Sequence, residues 1–316
     1  MQWSDRIGRR LKPRDLHVFM AVAEHSNMAK AADSLAISRP VVSKTISELE
    51  RTLGVPLFDR TPQGVEPTLY GRTLLKRSVV IFDELRESVK EIEFLADPNS
   101  GELRLGFAEW AAGAVGDAID RISRQHPRIT FDVMSADAAT LQRELKDRNI
   151  ELFVAILESS LSKEHFDADT LYDDPLVVVA DAQHPMARRR RIELAELVNE
   201  AWTLPPANNP AGSYVRDAFR KDGLTIPNTI VSTYSTILRH NLVATARFIT
   251  VLPKSMFDVM AKGLSIKVLP VHLPGPRRPM AIVALKNRTL SPVAQLFIET
   301  ICAVAKPKAK AKENSR

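Results

Sequence analysis

The chain has 316 residues, 45% of them hydrophobic and 26% charged, with a net charge of +6. That length suggests two or three domains of a globular protein, not one small core. A single cysteine, Cys302, excludes a disulfide framework and any multi-cysteine metal site. No run of about 18 apolar residues offers a membrane span, and residues 1–12 lack the apolar centre of a secretion signal, so a reducing cytoplasm is the expected compartment. The charge is uneven. Residues 1–77 carry 13 Lys and Arg against 8 Asp and Glu, residues 306–316 carry five against one, and the stretch between is mildly acidic. Basic ends around an acidic body suit a polyanionic partner.

Residues 13–25, PRDLHVFMAVAEH, place Leu16, Phe19, Met20 and Ala23 on one helical face behind Pro13, which suits a first turn. Ser26 and Asn27 are N-cap candidates for a second helix, MAKAADSLA, which buries Met28, Ala31, Ala32 and Leu35. After a break at residues 36–37, Ser38 is the expected N-cap of a third helix with Pro40 in its first turn. Val42, Ile46, Leu49 and Leu53 give that helix one buried stripe. Its other face shows Arg39, Ser43, Lys44 and Ser47, short and hydroxylated where solubility alone would favour long Glu and Lys side chains. Two short helices, a tight turn and a capped third helix make a helix-turn-helix. Small residues at the start of the third helix fit entry into a DNA major groove, where bulk would hold the helix off the base edges. Ser38 and Ser43 can reach phosphates or bases, Arg39 and Lys44 can donate to phosphate or to guanine O6 and N7, and the helix N-terminus favours phosphate. A plain three-helix module with a polar face is the alternative.

Beyond Gly54, VPLFDRTPQGVEPT reads as a hairpin. Leu57 and Phe58 form a short strand, Thr61-Pro62-Gln63-Gly64 the turn and Val65 the returning strand. This wing carries Arg60 at its edge, placed for phosphate, for the minor groove, or equally for its own turn carbonyls. Over residues 70–96, Leu75, Phe82 and Val89 recur every seven positions, with Leu85 and Ile92 at companion positions and Ser78 interrupting. A helix of this length with an apolar seam needs a partner, which predicts a linker and dimerisation helix.

Residues 97–101, DPNSG, are a turn-rich hinge. After them, strand and helix periods alternate: strands ELRLGF, ITFDVMSA, IELFVAIL, LVVVA and FITVLP, with helices AAGAVGDAIDRISRQHP, ATLQRELKDRN, ELAELVNE, GSYVRDAFRKDG and STILRHNLVATA. Such alternation over about 200 residues predicts parallel sheets in two α/β lobes with a ligand crevice between them.

The run FMAVAEHSNMAKAADSLAISRPVVSKTISELERTLGVPLFDRTPQGVEPTLYG resembles the DNA-binding region of LysR-type transcriptional regulators. It shows the paired alanines, the serine-proline entry, S-K-x-I-x-x-L-E-x-x-L-G-V-x-L-F-x-R and a Thr–x–x–Gly exit into the linker helix. By that resemblance Arg39, Pro40, Ser43 and Lys44 hold groove-facing positions and Arg60 the wing position. Family members often carry Gln where Arg39 stands, so operator preference is not carried over. HPMARRRRIELAELVNEAWTLPP and LVATARFITVLP are similar to the effector domain of the same family. The implied fold is an N-terminal winged helix-turn-helix (1–66), a long linker helix (67–96) and a C-terminal α/β two-lobed, periplasmic-binding-protein-like effector domain (97–305). Crossovers are expected near 171–179 and 266–271, giving one lobe of 101–171 with 270–305 and another of 172–269. Residues 306–316 are expected to be a basic disordered tail adding weak, salt-sensitive phosphate affinity.

In the family a Ser/Thr pair usually follows the first effector strand, where this chain has Ala108, Glu109 and Trp110. A carboxylate there argues against a simple anionic inducer bound by hydroxyls and helix amides. An aromatic beside it suits a sugar-like inducer, with ring faces on Trp110 and hydroxyls on Glu109. The chain is also similar to the subgroup that includes galactose-binding-protein regulators, which fits. The alternative is that Trp110 packs in the core and Glu109 caps its own helix. On the facing lobe Ser232, Thr233, Tyr234 and Ser235 open a helix, and Asn208 and Asn209 sit in a Pro-rich loop. Ser232, Thr233 and Asn208 are the expected contacts there, although N-capping explains at least one of the hydroxyls. Arg247 and Phe248 stand where many relatives read Gly-Leu-Gly, and whether Arg247 reaches the crevice is left open.

The RRRR run at 188–191 reads as a solvated surface. The seven histidines lack metal-site spacing, no phosphate-binding glycine loop or nucleophile elbow is present, and close packing explains Gly113 and Gly116. Glu109, Glu158 and His240 have no catalytic spacing, so no enzyme, cofactor or metal is expected. The expected partners are double-stranded operator DNA, a small-molecule inducer, a second copy of the chain in a homodimer or homotetramer, and RNA polymerase, with no membrane. The rival is an architectural DNA-binding protein without a ligand.

Overall fold

The computed structural model describes residues 10–62, 64–157, 161–207, 209–261, 263–275 and 279–313. The chain forms two units, Met1–Ile92 and Glu93–Arg316. In the first, α1 (Pro13–His25), α2 (Met28–Ser34) and α3 (Arg39–Leu53) enclose a core of Phe19, Val22, Ala31, Ala32, Val42, Ile46 and Leu49. Ser26 ends α1 in the left-handed region at φ 50, which leaves Asn27 as the N-cap of α2. Its carboxamide oxygen accepts from the N–H groups of Ala29 and Lys30 at 2.8 and 3.2 Å. The turn before α3 passes through Ala36 at φ 53.

The wing pairs β1 (Phe58–Thr61) antiparallel with β2 (Gly64–Pro67), Arg60 opposite Val65. Gly64 has φ 145, and a Cβ there would lie 2.2 Å from the Ser26 carbonyl oxygen. That carbonyl accepts the Val65 N–H at 2.9 Å, so the wing is docked on the turn between α1 and α2. The Thr–x–x–Gly exit has a direct physical basis. The Thr68 hydroxyl donates to the Pro56 carbonyl at 2.7 Å and accepts the Gly71 N–H at 3.0 Å. A Cβ at Gly71 would meet the Leu57 carbonyl oxygen at 2.1 Å.

The linker helix α4 (Leu69–Ala96) departs from the heptad reading. Leu75 packs on the winged-helix core, and the Phe82 ring lies 5.8 Å from His17. The outward apolar stripe is Ile81, Leu85, Val89, Ile92 and Leu95, all exposed. Of the predicted seam, Leu75 and Phe82 thus make intrachain contacts, whereas Leu85, Val89 and Ile92 lie exposed beside Ile81 and Leu95. On the buried side Asp83 pairs with Arg86 and Glu87 with Lys90, at 3.6 and 3.1 Å.

The second unit holds two five-stranded sheets. The first has the order β4-β3-β5-β12-β6, from β3 (Ser100–Phe107), β4 (Arg128–Ser135), β5 (Leu152–Ile156), β6 (Phe166–Asp173) and β12 (Pro279–Leu285). The second has the order β11-β7-β10-β8-β9, from β7 (Leu176–Asp181), β8 (Ala201–Leu204), β9 (Thr229–Ser232), β10 (Phe248–Pro253) and β11 (Ile266–Val268). The sheets are mixed, where alternation predicted parallel ones. β12 runs antiparallel to both β5 and β6, and β7 antiparallel to both β10 and β11. Parallel pairing needs a crossover element over the sheet face. Strands that arrive directly from the other lobe have none, and these are the antiparallel ones. The chain passes between lobes after Asp173 and returns after Val268.

Helices α5 (Ala112–Gln125), α6 (Ala138–Lys146) and α10 (Pro292–Glu313) accompany the first sheet in chain order. The second lobe holds α7 (Pro210–Lys221), α8 (Thr236–Val243) and α9 (Lys254–Met260). Its core centres on Trp202, which is edge-on to Phe219 and donates its indole N–H to the Leu197 carbonyl at 2.7 Å. Two local expectations fail. The helix predicted at 192–199 is only a 3-10 turn, Leu194–Leu197. Its buried residues Ile192, Leu194 and Leu197 lack a helical stripe's 3-4 spacing. The helix α10 continues to Glu313, past residue 306 where an irregular tail is expected. Ile301 and Ala305 are buried and anchor the part of this helix that precedes residue 306. Among the described residues no helix is long and apolar enough to cross a membrane, and no group of three His, Cys, Asp or Glu could hold a metal ion.

Candidate DNA-reading face and ligand crevice

Helix α3 sorts its residues cleanly. Val42, Ile46 and Leu49 are buried, whereas Ser38, Arg39, Pro40, Ser43, Lys44 and Ser47 are all exposed. Ser38 takes the N-cap position with extended backbone, φ −77 and ψ 146, but its hydroxyl makes no cap hydrogen bond. The hydroxyl is thus available to an outside group at the end of the helix that favours anions. Lys44 lies 4.0 Å from Glu48, an exposed pair that solvent screens strongly. Arg60 is exposed on β1, and among the described residues its side chain makes no hydrogen bond or ion pair, its turn carbonyls included.

One residue that sequence reasoning missed positions this face. Glu50, on the inner side of α3, accepts the backbone N–H groups of Leu57 and Phe58 at 2.8 and 3.4 Å, tying the recognition helix to the wing. The Leu-Glu of the family pattern contains it, but only the fold shows what it holds.

In the second unit β3 runs parallel to β4 and β5, and β8 parallel to β9 and β10; open α/β sheets bind ligands outside the carboxyl ends of such strands. β3 leads into a 3-10 turn, Glu109–Ala111, and then α5. Trp110 is half-buried and packs against the cores of both lobes. Glu109 is exposed and caps nothing, since the N-cap positions are Ala108 and Ala111 without side-chain bonds. On the second lobe Ser232 is exposed at the end of β9. Thr233 is half-buried, and its hydroxyl oxygen accepts the Ser235 N–H at 3.1 Å. The N-cap of α8 is Ser235, whose oxygen accepts from Leu238 at 3.2 Å, so neither Ser232 nor Thr233 is consumed in capping. Asn209 caps α7 through the Ala211 N–H at 2.9 Å; Asn208 and Glu158 lie outside the described residues. Arg247 is exposed and stacks 5.3 Å over the Phe248 ring. His240 lines a small cavity with Val179, Val243, Thr250, Leu252 and Ile266.

A second missed residue is Arg239. It is only 2% exposed, yet it sits in the first half of α8. Its guanidinium donates to the Thr236 hydroxyl oxygen at 2.8 Å and to the Val251 carbonyl at 3.3 Å, while Nε has no partner. Burial lowers its pKa, and the Glu109 carboxylate acts in the opposite direction. The available signal was the i, i+3, i+7 spacing of Thr236, Arg239 and Val243, a buried stripe with an arginine in it.

The lobes meet near the crossovers. The buried Asp174 carboxylate accepts both the N–H of Ser255, at 3.0 Å, and its hydroxyl. Beside it the Tyr172 hydroxyl is pushed up to about 12, first by burial and then by the Asp174 charge. A Cβ at Gly113 on α5 would come 3.3 Å from Val259 of α9, so this glycine lets the two helices approach.

A winged helix with an open polar face, a linker helix and two lobes around a crevice define a DNA-binding regulator with a ligand-binding module. Residues 13–72 match the model of bacterial regulatory helix-turn-helix proteins of the lysR family, and residues 96–306 match the LysR substrate binding domain. The chain is 30% identical over 301 residues to the HTH-type transcriptional regulator GbpR of Azospirillum brasilense, covering 95% of this chain and 88% of that one. It is 27% identical over 289 residues to the regulator TdcA of Escherichia coli, 91% of each. Its fold is similar to a full-length OxyR variant from Pseudomonas aeruginosa, with TM-score 0.64, 20% identity and coverage of 92% and 94%. It is also similar to full-length CbnR complexed with its target DNA, with TM-score 0.54, 20% identity and coverage of 93% and 100%. The chain belongs to the lysR family of DNA-binding transcriptional regulators with a ligand-binding effector domain.

Proposed function

We propose that this regulator works in the cytoplasm as a homodimer or homotetramer, reading operator DNA with residues 1–66 and coupling through the linker 67–96 to an effector domain over 97–305. Ser38, Arg39, Pro40, Ser43, Lys44, Ser47 and Arg60 form the DNA contact. The observation that carries this reading is that every polar side chain on the outward side of α3 is exposed at a helix start whose cap position is unfilled by a side chain. Phosphate contacts set affinity and register, and Arg39, Ser43 and Lys44 read base edges. A sugar-like inducer sits between the lobes against Glu109, Trp110, Asn208, Ser232 and Thr233. It acts by binding the two lobe arrangements unequally, which couples inducer and DNA binding reciprocally. RNA polymerase receives the output, and the mechanism is conformational, without a covalent step.

Arg39→Ala should lose discrimination at one or two base pairs, by about 1–3 kcal/mol. Arg60→Ala should weaken binding evenly and make the salt dependence shallower by roughly one phosphate contact. Binding measured against a randomised site library at two salt concentrations separates the two. Equal loss on every sequence in both variants would contradict the base-reading role.

A further inference from the structure

We propose that the inducer is a small carboxylic acid carrying hydroxyl or ammonium donors, with its carboxylate received by Arg239 at the first turn of α8 and its donors by Glu109 on the facing lobe. This rests on the reading of the crevice as the inducer site and deepens it from sugar-like to acid-bearing.

Three observations converge on the carboxylate. Arg239 is 2% exposed, and a guanidinium withdrawn from water is costly unless an anion meets it. The partners it has are a neutral hydroxyl and a neutral carbonyl, Nε has none, and among the described residues it forms no ion pair. Its bond to Thr236, the first residue of α8, places the guanidinium at the positive end of that helix. A helix N-terminus disfavours a cation and favours an anion. A buried, under-bonded arginine at that end is therefore explained by an anion that completes the site. Ser232 and Thr233 lie just before the same turn, with hydroxyls not used for capping. Planar two-point bonding to a carboxylate is what arginine provides and lysine does not.

Glu109 supplies the other requirement. It is exposed, caps nothing and acts electrostatically on Arg239 from the opposite lobe. An anion without donors would be repelled by it, and a neutral sugar would leave Arg239 unmatched. A hydroxy acid or amino acid satisfies both charges and spans the crevice, which gives the ligand a reason to hold the lobes in one arrangement.

The test is a thermal-shift titration of the full chain with matched pairs: gluconate against sorbitol, L-serine against L-serinamide, and acetate against acetamide. At least one acid should raise the melting temperature while its neutral partner does not. Arg239→Lys should weaken that acid about tenfold or more, and Arg239→Met should abolish its shift. The melting temperature of Arg239→Met without ligand checks that the variant folds. Equal shifts by acid and neutral partner, both lost in Trp110→Ala, would overturn the carboxylate assignment and leave the crevice standing. Acid shifts that survive both Arg239→Met and Trp110→Ala would place the ligand elsewhere, and the crevice reading would fall with the proposal. No shift by any carboxylate overturns the proposal.

Discussion

Gly64 shows how much one residue decides. Its φ of 145 is open to glycine, and the carbonyl of Ser26 occupies the space a side chain would need. Gly64→Ala should therefore destabilise the winged-helix unit by about 2–4 kcal/mol, combining backbone strain with loss of the wing's docking bond. Urea denaturation followed by circular dichroism would measure it; a change under ~0.5 kcal/mol would mean the wing is not fixed there. The turn itself was legible because Pro-x-Gly chemistry is local. Glu50 and Arg239 were not legible, because their roles depend on groups brought near by folding. Glu50 serves N–H groups seven and eight residues on, and Arg239 donates to a sheet carbonyl while the charge of Glu109 acts on it.

The linker helix illustrates the limits of periodicity at the level of an element. Its existence and length followed from an unbroken polar-apolar pattern, but its seam did not. A straight α-helix drifts about 20° per heptad against a 3.5 repeat. One side of the helix is also claimed by the winged-helix core, which draws in Leu75 and Phe82. What remains outward is Ile81, Leu85, Val89, Ile92 and Leu95. Leu85→Glu with Val89→Glu should convert the proposed homo-oligomer to a smaller species in light scattering and leave the reader folded. An unchanged mass would remove the linker stripe from the interface. Elsewhere the strong periods, such as α5 with Ala114, Val115, Ala118 and Ile122 inward, were read correctly. Weaker segments such as β9, only four residues long and at a sheet edge, had too little pattern to be seen.

At the scale of the whole molecule, two lobes were legible from alternating strand and helix, and the antiparallel strands at the crossovers were not, since pairing direction depends on where the chain comes from. The crossover is also fastened to the second lobe, through Asp174 and Ser255. Asp174→Ala leaves the Ser255 N–H and hydroxyl without their acceptor, a loss of about 1–3 kcal/mol. Calorimetry of the full chain should show a lower transition for the unit Glu93–Arg316 and an unmoved one for Met1–Ile92. A shift in both transitions would mean that the units do not melt independently.

The same connectivity has a consequence for biosynthesis. Strand β12 lies between β5 and β6, yet about a hundred residues, the whole second lobe, are made after β6 before β12 begins. At ribosomal speeds that interval is roughly 5–20 s. Throughout it the first lobe has a gap in the middle of its sheet, with two strand edges open to any passing chain. The second lobe is complete in sequence by Val268 and can close first, so the inserted lobe is ready while its host waits for one strand.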